Sequence, residues 1–232
     1  MQISKSFFNI RQIPLVVICL FILDVFFCFA YIGTHVPAPL DFKAVRYWDL
    51  DFEGGIATWY SAFQLLGIAI LSTLFVRKKA VAGQGSPVLI GLPIIFLSMG
   101  IDEIARIHER IGKYSDILLP AGSRANTPFQ ETGIWVFLVG IPFIIFFLVW
   151  LYKLRKHLIG YGAEINRLGM GVLTLLFGAL GIELLSNFLY HDSSQLIGIA
   201  LEEGLEMIGA TVIFWAVLSM LKKKRPPKLS RV

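Results

Sequence analysis

Long apolar runs alternate with short polar clusters along the whole chain. The runs fall at about 13–33, 56–76, 87–107, 133–152, 168–190 and 195–221. Each is near the ~20 residues a helix needs to cross a bilayer. Breaker residues fill the gaps: VPAP at 36–39, AGQGSP at 82–87, LPAGS at 119–123 and HDSS at 191–194. The pattern predicts an all-α polytopic bundle of six transmembrane helices, one domain over residues 1–232 with no soluble domain. The gap at 108–132 has room for a short interfacial helix. The first run follows Lys5 and Arg11, is too long for a signal-peptide core and is interrupted by Asp24. We read it as an uncleaved first span.

Composition sharpens this picture. Of 232 residues, 56% are hydrophobic and 16% charged, and mean hydropathy is +0.72. A soluble domain is nearer half apolar and a quarter charged. Net charge is +5, but the basic residues lie between spans. They therefore point to topology and to anionic headgroups of membrane lipids, with no nucleic-acid partner expected. The sequence names no protein partner.

Fifteen of the 21 Lys and Arg fall on one side of the spans: Lys5, Arg11, Arg77–Lys79, Lys153, Arg155, Lys156, Arg167, Lys222–Arg225, Lys228 and Arg231. The other side has Lys43, Arg46, Arg106, Arg110, Lys113 and Arg124. The positive-inside rule then predicts cytoplasmic N- and C-termini. Trp48, Trp59, Tyr60 and Trp135 fall at outer span ends, and Trp150 and Tyr152 at an inner one, as interfacial belts require. Cys19 and Cys28 are half a helical turn out of phase, so they cannot bridge each other and belong to packing or to the lipid face.

The acids carry the chemistry. Of 16 Asp and Glu, Glu164 alone falls in a cytoplasmic loop on this topology. The stretch FLSMGIDEIARIHERIG, residues 96–112, begins as a span and ends in charges. At ~1.5 Å per residue, Asp102 stands roughly 22 Å above Pro87, and Glu183 stands at about the same height above Leu168. Glu202 and Glu203 lie about 10 Å below the outer surface, with Glu206 one turn deeper. A mid-span charge costs ~2.5–3.5 kcal/mol on insertion scales, so such groups face the bundle interior. The sets Ser98/Asp102/Arg106, Glu183/Asn187/His191 and Glu202/Glu206 each repeat at four residues and predict polar stripes. Small residues flank the acids in spans five and six (Gly171, Gly178, Gly181, Ala200, Gly204, Gly209, Ala210) and allow close packing. Spans three, five and six are expected to form a polar heart.

His35, His108 and His191 cap the outer ends of spans one, three and five. Imidazoles above carboxylates suit a divalent metal, zinc, iron or manganese. The expected ligands are His108, Glu183, His191 and Glu203, with Asp102, Glu103 and Glu206 as catalytic base or further ligands. Plainer readings stand beside these. Asp102 or Glu103 pairs with Arg106; each His is an interfacial hydrogen-bonding residue. Asp49, Asp51 and Glu53 form a solvated loop or a lid, and Asp24 is either paired or a lone functional acid. Standard metal-hydrolase, serine-hydrolase and phosphate-loop motifs are absent.

IATWYSAFQLL followed by DEIARIHER resembles a pattern in uncharacterised bacterial multi-pass membrane proteins. There, Trp and Ser open one span and an Asp-Glu…His-Glu element closes the next. Trp59, Ser61, Asp102, Glu103, His108 and Glu109 carry the resemblance. It implies a multi-pass fold and brings no activity. Three functions stay open: a metal-dependent enzyme acting on a lipid or membrane-embedded substrate, a proton- or cation-coupled transporter, and a non-catalytic assembly subunit. Transport needs a polar path inward, which the apolar inner halves of spans three, five and six disfavour unless Asp24 supplies it.

Overall fold

The computed structural model describes residues 13–35, 46–52, 54–119, 122–124, 127–129, 132, 134–189 and 195–223, except the side chains of Glu109 and Leu189. The described residues are helical or irregular, with no strand. Helix α1 is Leu15–His35, α2 Ile56–Val81 and α3 Pro87–Ala105. Helix α4 is Ile107–Ser115, followed by a 3₁₀ turn at Asp116–Leu118. A π-helical segment, Val136–Gly140, leads into α5, Ile141–His157. Helix α6, Gly162–Leu176, runs through a second π segment, Phe177–Ile182, into α7, Glu183–Leu189. The last helix, α8, is Gln195–Lys222. Six helical stretches are long and apolar enough to cross a membrane: α1, α2, α3, Val136–His157, Gly162–Phe188 and α8.

Helix α8 is the axis of the bundle and packs against α1, α2 and α6. Its approach to α6 is set by two glycines. A Cβ on Gly209 would lie 2.6 Å from the backbone nitrogen of Leu175 and 2.8 Å from the carbonyl of Gly171. A Cβ on Gly171 would lie 2.9 Å from the carbonyl of Gly209. Small residues thus let two backbones touch where no water-driven force holds them together. Phe75, Leu89, Leu92, Phe96, Phe147, Leu154, Leu168 and Ile213 fill the main core. A smaller core at the other end gathers Phe27, Tyr31, Leu50, Ala57, Ala200 and Met207.

Several helices run past the apolar stretch that announces them. Helix α2 continues to Val81 because Arg77, Lys78 and Lys79 complement the negative end of its dipole. Lys78 Nζ donates to the carbonyls of Leu221 (2.7 Å) and Lys223 (3.0 Å), satisfying the open C-terminal end of α8. Lys223 Nζ donates to Gly160 O (2.8 Å) and to both Glu164 oxygens (3.0 Å each). Glu164, expected in a loop, stands in the first turn of α6, where its charge favours the helix N-terminus. Burial and the neighbouring Glu164 push the Tyr161 phenol up from its ordinary range. These contacts gather the lysine-rich C-terminal ends of α2 and α8 and the N-terminal end of α6 at one end of the bundle.

The stripe Ser98–Asp102–Arg106 does not form. Arg106 adopts φ 55°, ψ 41°, the left-handed conformation, and the helix breaks there into α3 and α4. A left-handed residue turns the chain off the helix axis, so Arg106 leaves the face that carries Asp102.

Candidate functional site at the acidic end

The break at Arg106 is what creates the first part of the site. Asp102 Oδ1 accepts the backbone N–H of His108 (3.0 Å), and Oδ2 takes the His108 ring N–H at Nδ1 (2.7 Å). One carboxylate thus caps the exposed N–H groups of α4 and orients an imidazole at its second residue. With Nδ1 as donor to the carboxylate, a neutral His108 carries its acceptor at Nε2. The pair is accessible: the His108 side chain is 40% exposed and Asp102 33%. The expected pairing of Asp102 with Arg106 is replaced by this contact with His108.

The His108 ring packs against Trp135, with centroids 5.4 Å apart. Trp135 Nε1 donates to Glu183 Oε1 (3.0 Å). Trp135 immediately precedes one π segment and Glu183 immediately follows the other. A π turn inserts a residue and re-aims the side chains after it, and such turns recur at functional sites. Asn187, one turn beyond Glu183, exchanges hydrogen bonds with Thr132: its Nδ2 donates to Thr132 Oγ1 (3.0 Å) and its Oδ1 accepts Thr132 N–H (3.3 Å). The connection before α5 is fastened to α7 by this pair.

Helix α8 supplies the rest. At Gly178 the second π segment runs against α8, where an added Cβ would meet the Glu202 carbonyl at 2.8 Å and Glu206 Cγ at 3.0 Å. Glu202 stands in the electrostatic field of Glu183, Asp51 and His108. Glu203 stands in that of Glu103, Glu202 and Asp51, and Glu206 in that of Glu203, Glu103, Glu202 and Glu183. Carboxylates from α3, α7 and α8 therefore share one region, and each of these side chains is partly buried. The segment before α2 leans over it. Leu50 is buried among Phe27, Tyr31, Ala57 and Ala200, while Asp51 beside it is exposed. Leu50 thus anchors the segment against α1, α2 and α8 while Asp51 stays exposed, and Glu53 lies outside the described residues.

Asp102, Glu103, His108, Glu183, Glu203 and Glu206 are thus brought to one end of the bundle. His191 lies outside the described residues. His35 caps α1, its Nδ1 against Tyr31 O (2.9 Å). Among the described residues, no three His, Cys, Asp or Glu side chains are gathered closely enough to hold a metal ion. The donor chemistry fits a divalent ion, oxygen and imidazole, but the groups share a field and not a coordination sphere. Binding there needs the flexible glutamates to draw inward.

Sequence reasoning left Asp24 undecided, and the structure gives it three side-chain partners. Asp24 is fully buried between α1, α2 and α8. Tyr60 Oη donates to its Oδ1 (2.6 Å), Gln64 Nε2 to Oδ1 (2.9 Å) and Thr211 Oγ1 to Oδ2 (2.8 Å). The available signal was Tyr60 and Gln64 one turn apart on α2, polar positions in an apolar span. Thr211, on a different helix, gave none. Cys28, one turn from Asp24, packs toward α8 with Sγ against Ala200 O (3.7 Å), while Cys19 is exposed.

No curated protein and no solved structure matches this chain. Residues 14–221, from the start of α1 to the last turn of α8, match one family throughout, and the chain belongs to that family, described as a domain of unknown function (DUF8692).

Proposed function

We propose that this is a bacterial inner-membrane protein whose outward-facing carboxylate/His site binds a divalent metal and acts on a lipid or another membrane-embedded substrate. One observation carries the reading. Carboxylates of α3, α7 and α8 share one partly accessible region, with an Asp102-oriented imidazole among them. A carboxylate holding one nitrogen of a histidine, so that the other is presented to a metal, is the usual support of a metal-binding imidazole. Asp102 is accordingly assigned to orient His108. Glu183, Glu203 and His108, with His191, are the ligand candidates, and Glu103 and Glu206 further ligands or the base. When bound, a divalent ion supplies a water acidified enough to attack at neutral pH. The separation of lysine-rich and acidic ends supports cytoplasmic termini and an acidic site facing outward. An open cleft between the end of α5 and the start of α6, lined by Leu151, Arg155, Asn166 and Leu173 among others, lies at the lysine-rich end, away from the acidic site, and suits an anionic lipid headgroup as a neighbour there.

The test is elemental analysis of protein purified in detergent without chelators, alongside Glu183→Gln and Glu203→Gln. The expected result is near-stoichiometric metal in the parent chain and loss in both variants. No metal in the parent chain ends the metal reading. Reporter fusions at both termini check the orientation.

A second reading, proton- or cation-coupled transport, is favoured by the placement of Thr211. It stands five residues beyond Glu206 on α8, roughly 7.5 Å deeper at ~1.5 Å per residue, and touches Asp24. Polar groups thus continue inward from the acidic end. Proton-driven uptake in proteoliposomes, abolished by Asp24→Asn, would support it over the enzyme reading.

A further inference from the structure

Asp24 is the one acid among the described residues with no exposed surface. Its surroundings hold no lysine, arginine or histidine among the described residues; they are hydrogen-bonding groups from three helices. The titratable groups facing it are Tyr60 from α2 and Cys28 from its own helix, while α8 presents Thr211, and Glu203 acts further along on Cys28. A dehydrated carboxylate without a cation is held in a membrane only if it is neutralised or its charge is heavily compensated.

Counting hydrogens shows what the site lacks. Tyr60 has one hydroxyl hydrogen and two acceptors in reach, Asp24 Oδ1 at 2.6 Å and Leu20 O at 3.1 Å. Gln64 Nε2 has two hydrogens and three oxygens in reach: Asp24 Oδ1 and Tyr60 Oη at 2.9 Å, and Thr211 Oγ1 at 2.8 Å. Gln64 is 4% exposed, and its Oε1 is buried with no hydrogen-bond partner. The cluster is therefore short of hydrogens. A metal cation is a poor remedy. Asp24 Oδ1 and Tyr60 Oη are 2.6 Å apart and Asp24 Oδ2 and Thr211 Oγ1 2.8 Å, whereas a calcium-sized ion spreads six to eight oxygens around itself, each about 2.3–2.6 Å from the ion.

One added proton supplies both Tyr60 contacts and leaves Gln64 Nε2 to divide its two hydrogens among three oxygens. Placed on Asp24 Oδ1, it is donated to Tyr60 Oη across the 2.6 Å contact, and the Tyr60 hydrogen turns to Leu20 O. Without it, Tyr60 donates to Asp24 and Leu20 O loses its partner within the cluster. Both states are coherent, and they differ by one proton and one hydroxyl rotation. We propose that Asp24, with Tyr60, Gln64 and Thr211, is a proton-binding site within the membrane, holding one exchangeable proton between the Asp24 carboxyl and the Tyr60 hydroxyl oxygen. Gln64 Oε1, buried without a partner, is the remaining acceptor of the cluster. The assignment stands whether or not the acidic end binds a metal.

The experiment is infrared spectroscopy of the full chain in lipid nanodiscs, across the pH range in which helical circular dichroism is unchanged. A protonated-carboxyl carbonyl band is expected that converts to carboxylate at the alkaline end, shifts in D₂O and is lost in Asp24→Asn. Tyr60→Phe keeps the acid and moves the band to another frequency. Glu203→Gln leaves it in place, which separates this site from the acidic end. If Asp24→Asn does not fold, labelling of the parent chain with an apolar carbodiimide, mapped by mass spectrometry to residue 24, takes its place. Two results overturn the proposal. One is the absence of any Asp24 acid band or adduct; the other is a band indifferent to pH and D₂O, which makes Asp24 a fixed structural donor.

Discussion

The two ends of the bundle treat their acids in opposite ways. At the lysine-rich end Glu164 meets a base directly, with Lys223 Nζ 3.0 Å from both of its oxygens and the same lysine closing Gly160 O. At the other end Glu203 and Glu206 have no ion-pair partner among the described residues and stand chiefly in the fields of other carboxylates. The first arrangement is locally satisfied and does nothing beyond tying α6 to α8. The second is costly as it stands, since like charges in a partly dehydrated region oppose one another. Such a cost is kept where a cation, a proton or a substrate relieves it. An acid's neighbours set its role: Glu164 on α6 meets a lysine, whereas Glu203 and Glu206 on α8 meet other acids.

This contrast can be broken or sharpened by substitution. The largest effect is expected at the crossing that holds both ends in register. Gly209→Leu forces a side chain into the Leu175 and Gly171 backbone, beyond the ~1–3 kcal/mol usual for overpacking. Loss of a monodisperse species on size exclusion checks it, and a normally folded variant would show that the close approach is dispensable. Next, the double change Glu203→Gln and Glu206→Gln removes two like charges. The apo protein is expected to gain on the order of 1 kcal/mol, read as a raised Tm, while metal content falls. A drop in Tm would mean that these acids are satisfied after all. Smaller is Asp102→Ala, which removes the α4 cap and the support of His108. It should cost about 1 kcal/mol and, where metal is bound, weaken it by about 10–100-fold. Smallest is Lys223→Ala. A partly exposed pair is worth ~0.2–1 kcal/mol, so Tm should fall by a few degrees at most, with no change at the acidic end.

Much of the architecture was legible in the amino-acid order. Six apolar runs of bilayer length specify six helices, because in hydrocarbon each backbone must satisfy its own hydrogen bonds. Glu183, Glu203 and Glu206 were legible as interior groups because charge in lipid is too expensive to face outward. The break at Arg106 was not. Asp-Glu-Ile-Ala-Arg is a good helical sequence, and only the Asp102 carboxylate reaching forward to His108 makes the interruption visible.

Hydropathy thus determined how many long apolar helical stretches form and about where they lie, which depends on each residue and its solvent. Tertiary structure decided which acid meets which neighbour. Glu164 found Lys223, Asp102 found His108, Trp135 found Glu183, and Asp24 found Tyr60, Gln64 and Thr211. Apart from the Asp102–His108 pair, these partners are 36 to 187 residues apart in sequence. No local periodicity encodes such pairs; they arise when helix axes cross, and the small residues Gly171, Gly178 and Gly209 set how closely they do so.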